Sequence, residues 1–256
     1  MILSALSLLA AQASAALSTA ETGRLSQCLD QARSDPATAI TTAGTWLAEA
    51  TGPGKALPQQ CLGQAYVSLL RWDAAEQAFL AGRDATVDDE LRARLGAMAG
   101  NAALEAGDTQ GALAALAAAE VDASAAGKSE LAGTIASDRA RALVALGQPQ
   151  SASQALERAR KDAPQVAYVW LLSATLDRRQ DDLAGAAGFI ATALALAPQD
   201  PQILLEAGVI AVLSGEEDTA RGYWRNVMTF APDNPEAATA AGYLDQLDGQ
   251  GPVSGR

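Results

Sequence analysis

The chain has 256 residues, with 18 basic against 30 acidic side chains and a formal charge of −12 at pH 7; that sign of charge repels a phosphate backbone and an anionic bilayer, so neither nucleic acid nor a membrane surface is expected as a partner. Hydrophobic residues make up 49% of it but aromatics only 4%, so the core must be built from Ala, Leu and Val, which suits closely packed helices. Histidine is absent, which excludes a Ser-His-Asp triad, a Cys-His dyad, His-liganded zinc and an imidazole pH switch.

Residues 1–15, MILSALSLLAAQASA, carry no charged side chain, an apolar run from Ile2 to Ala11 and the small-residue pattern Ala13-Ser14-Ala15. They are expected to be a secretory signal, which places the mature chain outside the cytoplasm, in a bacterial periplasm. The run is well short of the ~20 apolar residues of a membrane span, so no membrane insertion is expected once the signal is removed. Cys28 and Cys61 come next, 33 residues apart. In an oxidising compartment they can form a disulfide; the alternative is two small, buried apolar thiols.

The segment 16–55, with Asp35-Pro36 between its halves, reads as a divergent N-terminal helical hairpin. Residues 56–132 read as two irregular units. The first is marked by Leu62-Gly63, Tyr66, Trp72, Ala75 and Phe79, and the second by Gly100, Gly107, Ala112 and Ala119, stretched by a linker around Asp122 to Lys128. The strongest pattern lies in three units over 133–234. Ala163-Pro164, Ala197-Pro198 and Ala231-Pro232 recur every 34 residues, and small residues keep the same register at Ala140, Ala174 and Gly208, at Ala152, Ala186 and Ala220, and at Ala159 and Ala193. Trp170 and Leu204, then Leu156, Ile190 and Trp224, supply complementary bulk, and Gly147-Gln148-Pro149, Gln180-Asp181-Asp182 and Gly215-Glu216-Glu217 supply the turns. Each unit is therefore helix, tight turn, helix. Residues 235–248 read as a closing helix exposing Glu236, Asp245 and Gln246, and the Gly-rich 249–256 as a disordered tail.

This 34-residue hairpin, with Leu62-Gly63-x-x-Tyr66 and the in-register alanines and prolines, resembles the tetratricopeptide repeat. The resemblance implies an all-α fold, a right-handed α-solenoid of helical hairpins with a C-terminal capping helix, in which the first helix of each hairpin lines a concave groove. It implies a groove made by Gln60, Gln64, Arg94, Asn101, Glu105, Ser137, Arg141, Tyr168, Thr175, Arg178 and Arg179. Four arginines on one face suit an acidic segment or a free C-terminus of an extended peptide; alternatively they pair with neighbouring acids. The Lys/Asn arrangement of the carboxylate-clamp subfamily is not reproduced, so chaperone-tail binding is not implied.

No phosphate loop, nucleophile elbow or Cys-x-x-Cys pair occurs. The clusters Asp88-Asp89-Glu90, Asp181-Asp182 and Glu216-Glu217-Asp218 each stand where a helix begins, so they read as dipole complements rather than metal or acid/base sites. Trp46, Trp72, Trp170 and Trp224 read as core, and Tyr168 as an exposed aromatic on the face opposite Trp170. The expected function is a non-enzymatic adaptor without metal or cofactor, binding protein or peptide segments in a cell-envelope assembly. The alternatives are a self-associating structural module that forms homo-oligomers, and a small-ligand protein with a site between repeats.

Overall fold

Helices start where an aspartate can cap them. Asp35, Asp88, Asp108, Asp182 and Asp200 each accept a backbone N–H from the first turn of the helix that follows, satisfying donors that have no intrahelical partner. Pro36, Pro149 and Pro201 occupy first helical positions, where a missing N–H is harmless. The computed structural model describes residues 20–249. Over them run α1 (20–34), α2 (Pro36–Glu49), a 3-10 turn (Gly52–Lys55), α3 (Ala56–Ser68), α4 (Trp72–Ala85), α5 (Asp89–Ala106), α6 (Thr109–Ala125), α7 (Ser129–Ala145), α8 (Pro149–Asp162), α9 (Ala167–Arg179), α10 (Leu183–Leu196), α11 (Pro201–Leu213), α12 (Glu217–Phe230) and α13 (Pro235–Gly249). Among the described residues there is no strand, and the fold is all-α. The expected signal at 1–15 and the tail beyond Gly249 lie outside the described residues.

The chain divides into two compact units between Leu146 and Gly147, a division that falls inside the first hairpin of the expected 133–234 block. In the first unit α3 packs on α4, α5 on α6 and α6 on α7, and α5 also touches α7. Its core is small and aliphatic: Ala56, Ala75, Phe79, Leu95 and Ala99 form one cluster, and Ala93, Ala103, Ala112, Leu116 and Ile135 belong to another. In the second unit α9 pairs with α10 and α11 with α12, while α13 closes on α12 and α11. There Ala174, Ile190, Ile203 and Ile210 belong to one cluster, and Leu204, Trp224 and Val227 to the next.

The small-residue register has a steric cause. A Cβ on Gly63 would lie 2.5 Å from the Phe79 ring, one on Gly100 would lie 2.5 Å from Leu116 Cγ, and one on Gly208 would collide with the Trp224 indole. In these three hairpins the first helix drops its side chain so that the second can insert a large one. The turn register is equally regular. Gly107, Gly147 and Gly215 adopt left-handed φ of 85°, 70° and 83°, and the residues at the same place in two other hairpins, Leu70 and Asp181, do so at 56° and 62° without being glycine.

One expected linker is helical. α6 continues to Ala125, and Asp122, expected in a linker, is buried: Arg83 donates to it through Nε and Nη2 at 3.1 and 2.7 Å, and Arg92 lies 3.4 Å away. Guanidiniums from α4 and α5 hold the last turn of α6 in place. Of the tryptophans, Trp46 and Trp224 are core, whereas Trp72 and Trp170 are half-buried; Trp170 donates to the Pro164 carbonyl at 2.9 Å and tilts against Phe189.

Candidate functional site

In the first unit the predicted groove residues sit on α3, α5 and α7, and the structure brings four groups together. Asn101 Nδ2 donates to Asp138 Oδ2 at 2.8 Å, Arg141 Nη1 donates to Asn101 Oδ1 at 3.2 Å, and Arg141 Nη2 lies 3.4 Å from Glu105. Asp138, which no sequence motif marks, is the buried centre of this cluster. Burial pushes its carboxyl above the usual range, against the opposing pull of the Asn101 hydrogen bond and the Arg141 charge. Arg94 is exposed and bonded to Glu90 at 2.7 Å, and Lys128 approaches the same carboxylate at 2.7 Å. Those two cations hold Glu90 below its ordinary range, the Lys128 hydrogen bond first. Gln60 and Gln64 are half-buried on α3, and the Gln60 Oε1 has no hydrogen-bond partner. Ser137 does not belong on the surface. It is fully buried and its hydroxyl donates to the Thr134 carbonyl at 2.7 Å, because its position on α7 faces the packed side.

In the second unit Arg178 of α9 clasps Glu206 of α11, with Nε to Oε1 at 2.7 Å and Nη2 to Oε2 at 3.3 Å. Thr175 is half-buried and Arg179 exposed. Tyr168, expected as an exposed aromatic, is half-buried against the Leu171–Ile190–Ile203 cluster, to which α9, α10 and α11 all contribute. Three of the four groove arginines are therefore committed to acids of the chain itself. The pairing alternative holds at these three positions.

The same register continued onto α11 and α13 turns apolar, a feature absent from the expected groove. Val209, Val212 and Leu213 face Tyr243, Gln246 and Leu247 across a cleft of about 260 Å³ floored by Trp224. The signal was available: Val209 and Tyr243 follow Gly208 and Gly242 as Asn101 follows Gly100.

Cys28 of α1 and Cys61 of α3 are joined by a disulfide, with Cα atoms 6.0 Å apart, inside a small core completed by Ala43. The acidic clusters act mainly as caps and ion pairs. Asp88 and Asp182 accept N–H bonds at 2.8 and 2.9 Å; Glu216 makes no such bond, and Glu217 and Asp218 meet Arg221 instead. Asp177, close to Asp182, is raised chiefly by burial and then by that neighbouring carboxylate, with Arg160 opposing. Among the described residues no group of three or more His, Cys, Asp or Glu is placed to hold a metal, and no helix is long and apolar enough to cross a membrane.

No family model matches the sequence, and no curated protein matches it. Solved structures match in fold. PilW, described as a widely conserved type IV pilus biogenesis factor, is similar with a TM-score of 0.67 and 17% identity over 87% of this chain and 98% of that one. PilF of Pseudomonas aeruginosa gives 0.65 and 16% over 88% and 98%. TTC0263, a thermophilic TPR protein of Thermus thermophilus, gives 0.61 and 19% over 74% and 98%. Identities this low establish a shared fold.

Proposed function

Because the chain has the tetratricopeptide-repeat fold, we propose that it is a non-enzymatic scaffold that holds protein or peptide segments on the first-helix faces of its hairpins, within an exported cell-envelope assembly. The observation that carries this reading is the register itself. Gln64, Asn101 and Arg141 in the first unit, and Thr175 in the second, occupy the same place after the small residue of their first helices, so the first unit carries a row of polar side chains, one per first helix. Such rows suit extended partners that run across several helices. Export is supported by the apolar residues 2–11 with their Ala13-Ser14-Ala15 pattern and by the Cys28–Cys61 disulfide, a bond that persists in oxidising compartments. PilW, described as a type IV pilus biogenesis factor, is a fold neighbour.

The test is site-specific photo-crosslinking in the organism that encodes the protein. A crosslinker at Gln64 or Arg179, both on first helices, is expected to capture a partner protein, whereas one at the exposed Arg158 of α8 is not. Capture of only this chain, equally from all three positions, would replace the scaffold with a self-associating module. Sequencing of the mature chain is expected to begin at Ala16.

A further inference from the structure

The polar register of the first helices ends at α11. The residue after the small crossing position is Gln64, Asn101, Arg141 and Thr175 on α3, α5, α7 and α9, but Val209 on α11 and Tyr243 on α13. Four positions further it is Glu105 and Arg179 on α5 and α9, but Leu213 and Leu247 on α11 and α13. These side chains line the 260 Å³ cleft above Trp224, and Leu213 stands 54% exposed at its edge. The cleft is smaller than the pockets of about 300 Å³ and upward that engulf whole small molecules, and it suits a single inserted side chain.

The surroundings are acidic. Residues 201–249 hold eight carboxylates and two arginines, and one of those, Arg221, already meets Glu217, Asp218 and Asp248. Asp245 and Asp248 flank Gln246 and Leu247 on α13, while Glu216 and Glu217 stand where α12 begins after the turn that follows Leu213. A second copy of this acidic chain would bring like charge to like charge.

We propose that the α11–α13 cleft seats one large aliphatic or aromatic side chain of a basic peptide segment, in which lysines or arginines flank the apolar anchor. The inference rests on the scaffold reading and names the ligand class for one part of it. The anchor loses its apolar surface to Val209, Val212, Leu213 and Tyr243, and the flanking cations meet carboxylates that Arg221 leaves uncompensated. The sign is opposite to that suggested by the four arginines of the sequence, because three of those are paired with Glu90, Glu105 and Glu206.

Three fluorescein-labelled 12-residue peptides titrated against the full chain by anisotropy decide it: one of alternating Lys-rich and Leu/Phe positions, one with Glu for every Lys, and one with Ser for every Leu and Phe. Only the first is expected to bind saturably. Leu213→Lys, which alters an exposed side chain, is expected to keep the circular dichroism of the parent and to weaken binding by about tenfold or more. Leu213→Met and Arg158→Gln on α8, outside the first-helix faces, should leave it within about twofold, and added salt should weaken it. Equal binding of the Ser-substituted peptide would mean charge attraction alone and overturn the proposal. So would preference for the acidic peptide, absence of binding, indifference to Leu213→Lys, or binding only once residues 250–256 are deleted, which would assign the cleft to the chain's own terminus. Partners crosslinked at Gln64 with no peptide bound would leave the scaffold standing and remove this site alone.

Discussion

Asp138 carries a carboxylate into a nearly closed space between α5 and α7, where Asn101 and Arg141 compensate burial only in part. A carboxyl raised in the folded state holds a proton that the unfolded chain releases, so its contribution to stability falls as pH rises from the ordinary carboxylate range through the raised value. Asp138→Asn is therefore expected to be most favourable relative to the parent near neutral pH, with the advantage fading as pH is lowered to about 4. Thermal unfolding of both proteins across that range measures it. Arg178 gives the converse case. Its guanidinium answers a Glu206 carboxylate that is only 13% exposed, so Arg178→Glu is expected to lower unfolding free energy in urea by about 1–3 kcal/mol through like charge and lost hydrogen bonds. An arginine that merely solvated the surface would change stability by about 0.5 kcal/mol or less.

Five hairpin turns, from α3–α4 to α11–α12, each bend through a single left-handed residue, and glycine fills that place three times. Leu70 and Asp181 accept the same geometry against the clash of Cβ with the following carbonyl, which costs roughly 1–2 kcal/mol. Leu70 is also 70% exposed, so Leu70→Gly forfeits little burial and is expected to raise stability by about 1 kcal/mol. Helix crossings show the opposite dependence. Gly208→Ala drives a methyl into the Trp224 indole and is expected to destabilise by about 1–3 kcal/mol, whereas Gly222→Ala, with open space around it on α12, is expected to stabilise by about 0.5–1 kcal/mol. Denaturant midpoints of the two glycine variants, one up and one down, separate crossing from helix propensity.

At the scale of the molecule, the first unit is the one that is covalently clipped. The disulfide ties α1 to α3 across 33 residues, in a region whose buried side chains are chiefly alanine with Trp46 as the single large ring. A thin apolar core gains proportionately from a cross-link that restricts the unfolded chain. Replacing both Cys28 and Cys61 by alanine is expected to lower stability by about 2–4 kcal/mol. Amide hydrogen exchange should show the lost protection within residues 20–146 and leave 147–249 unchanged; uniform loss over both ranges would contradict the division between units.

The helical hairpins are legible in the amino-acid sequence, because the 34-residue recurrence of Ala-Pro, the small crossing residues and the aspartate caps are local requirements that each helix meets in its own stretch of chain. The repeating positions are legible too, though not what they meet. Which arginines are spent on which acids, why Ser137 is buried, why Asp122 belongs to a helix and how an apolar cleft opens beside α13 follow only from the packing of helices on one another. Apart from Arg94 with Glu90, four residues away on the same helix, those contacts join groups 19 to 40 residues apart, such as Trp224 with the Leu205 carbonyl and Arg141 with Asn101. Electrostatic pairing is set by distance in space, and a repeat period fixes the spacing of helices without fixing the charges that face one another across it.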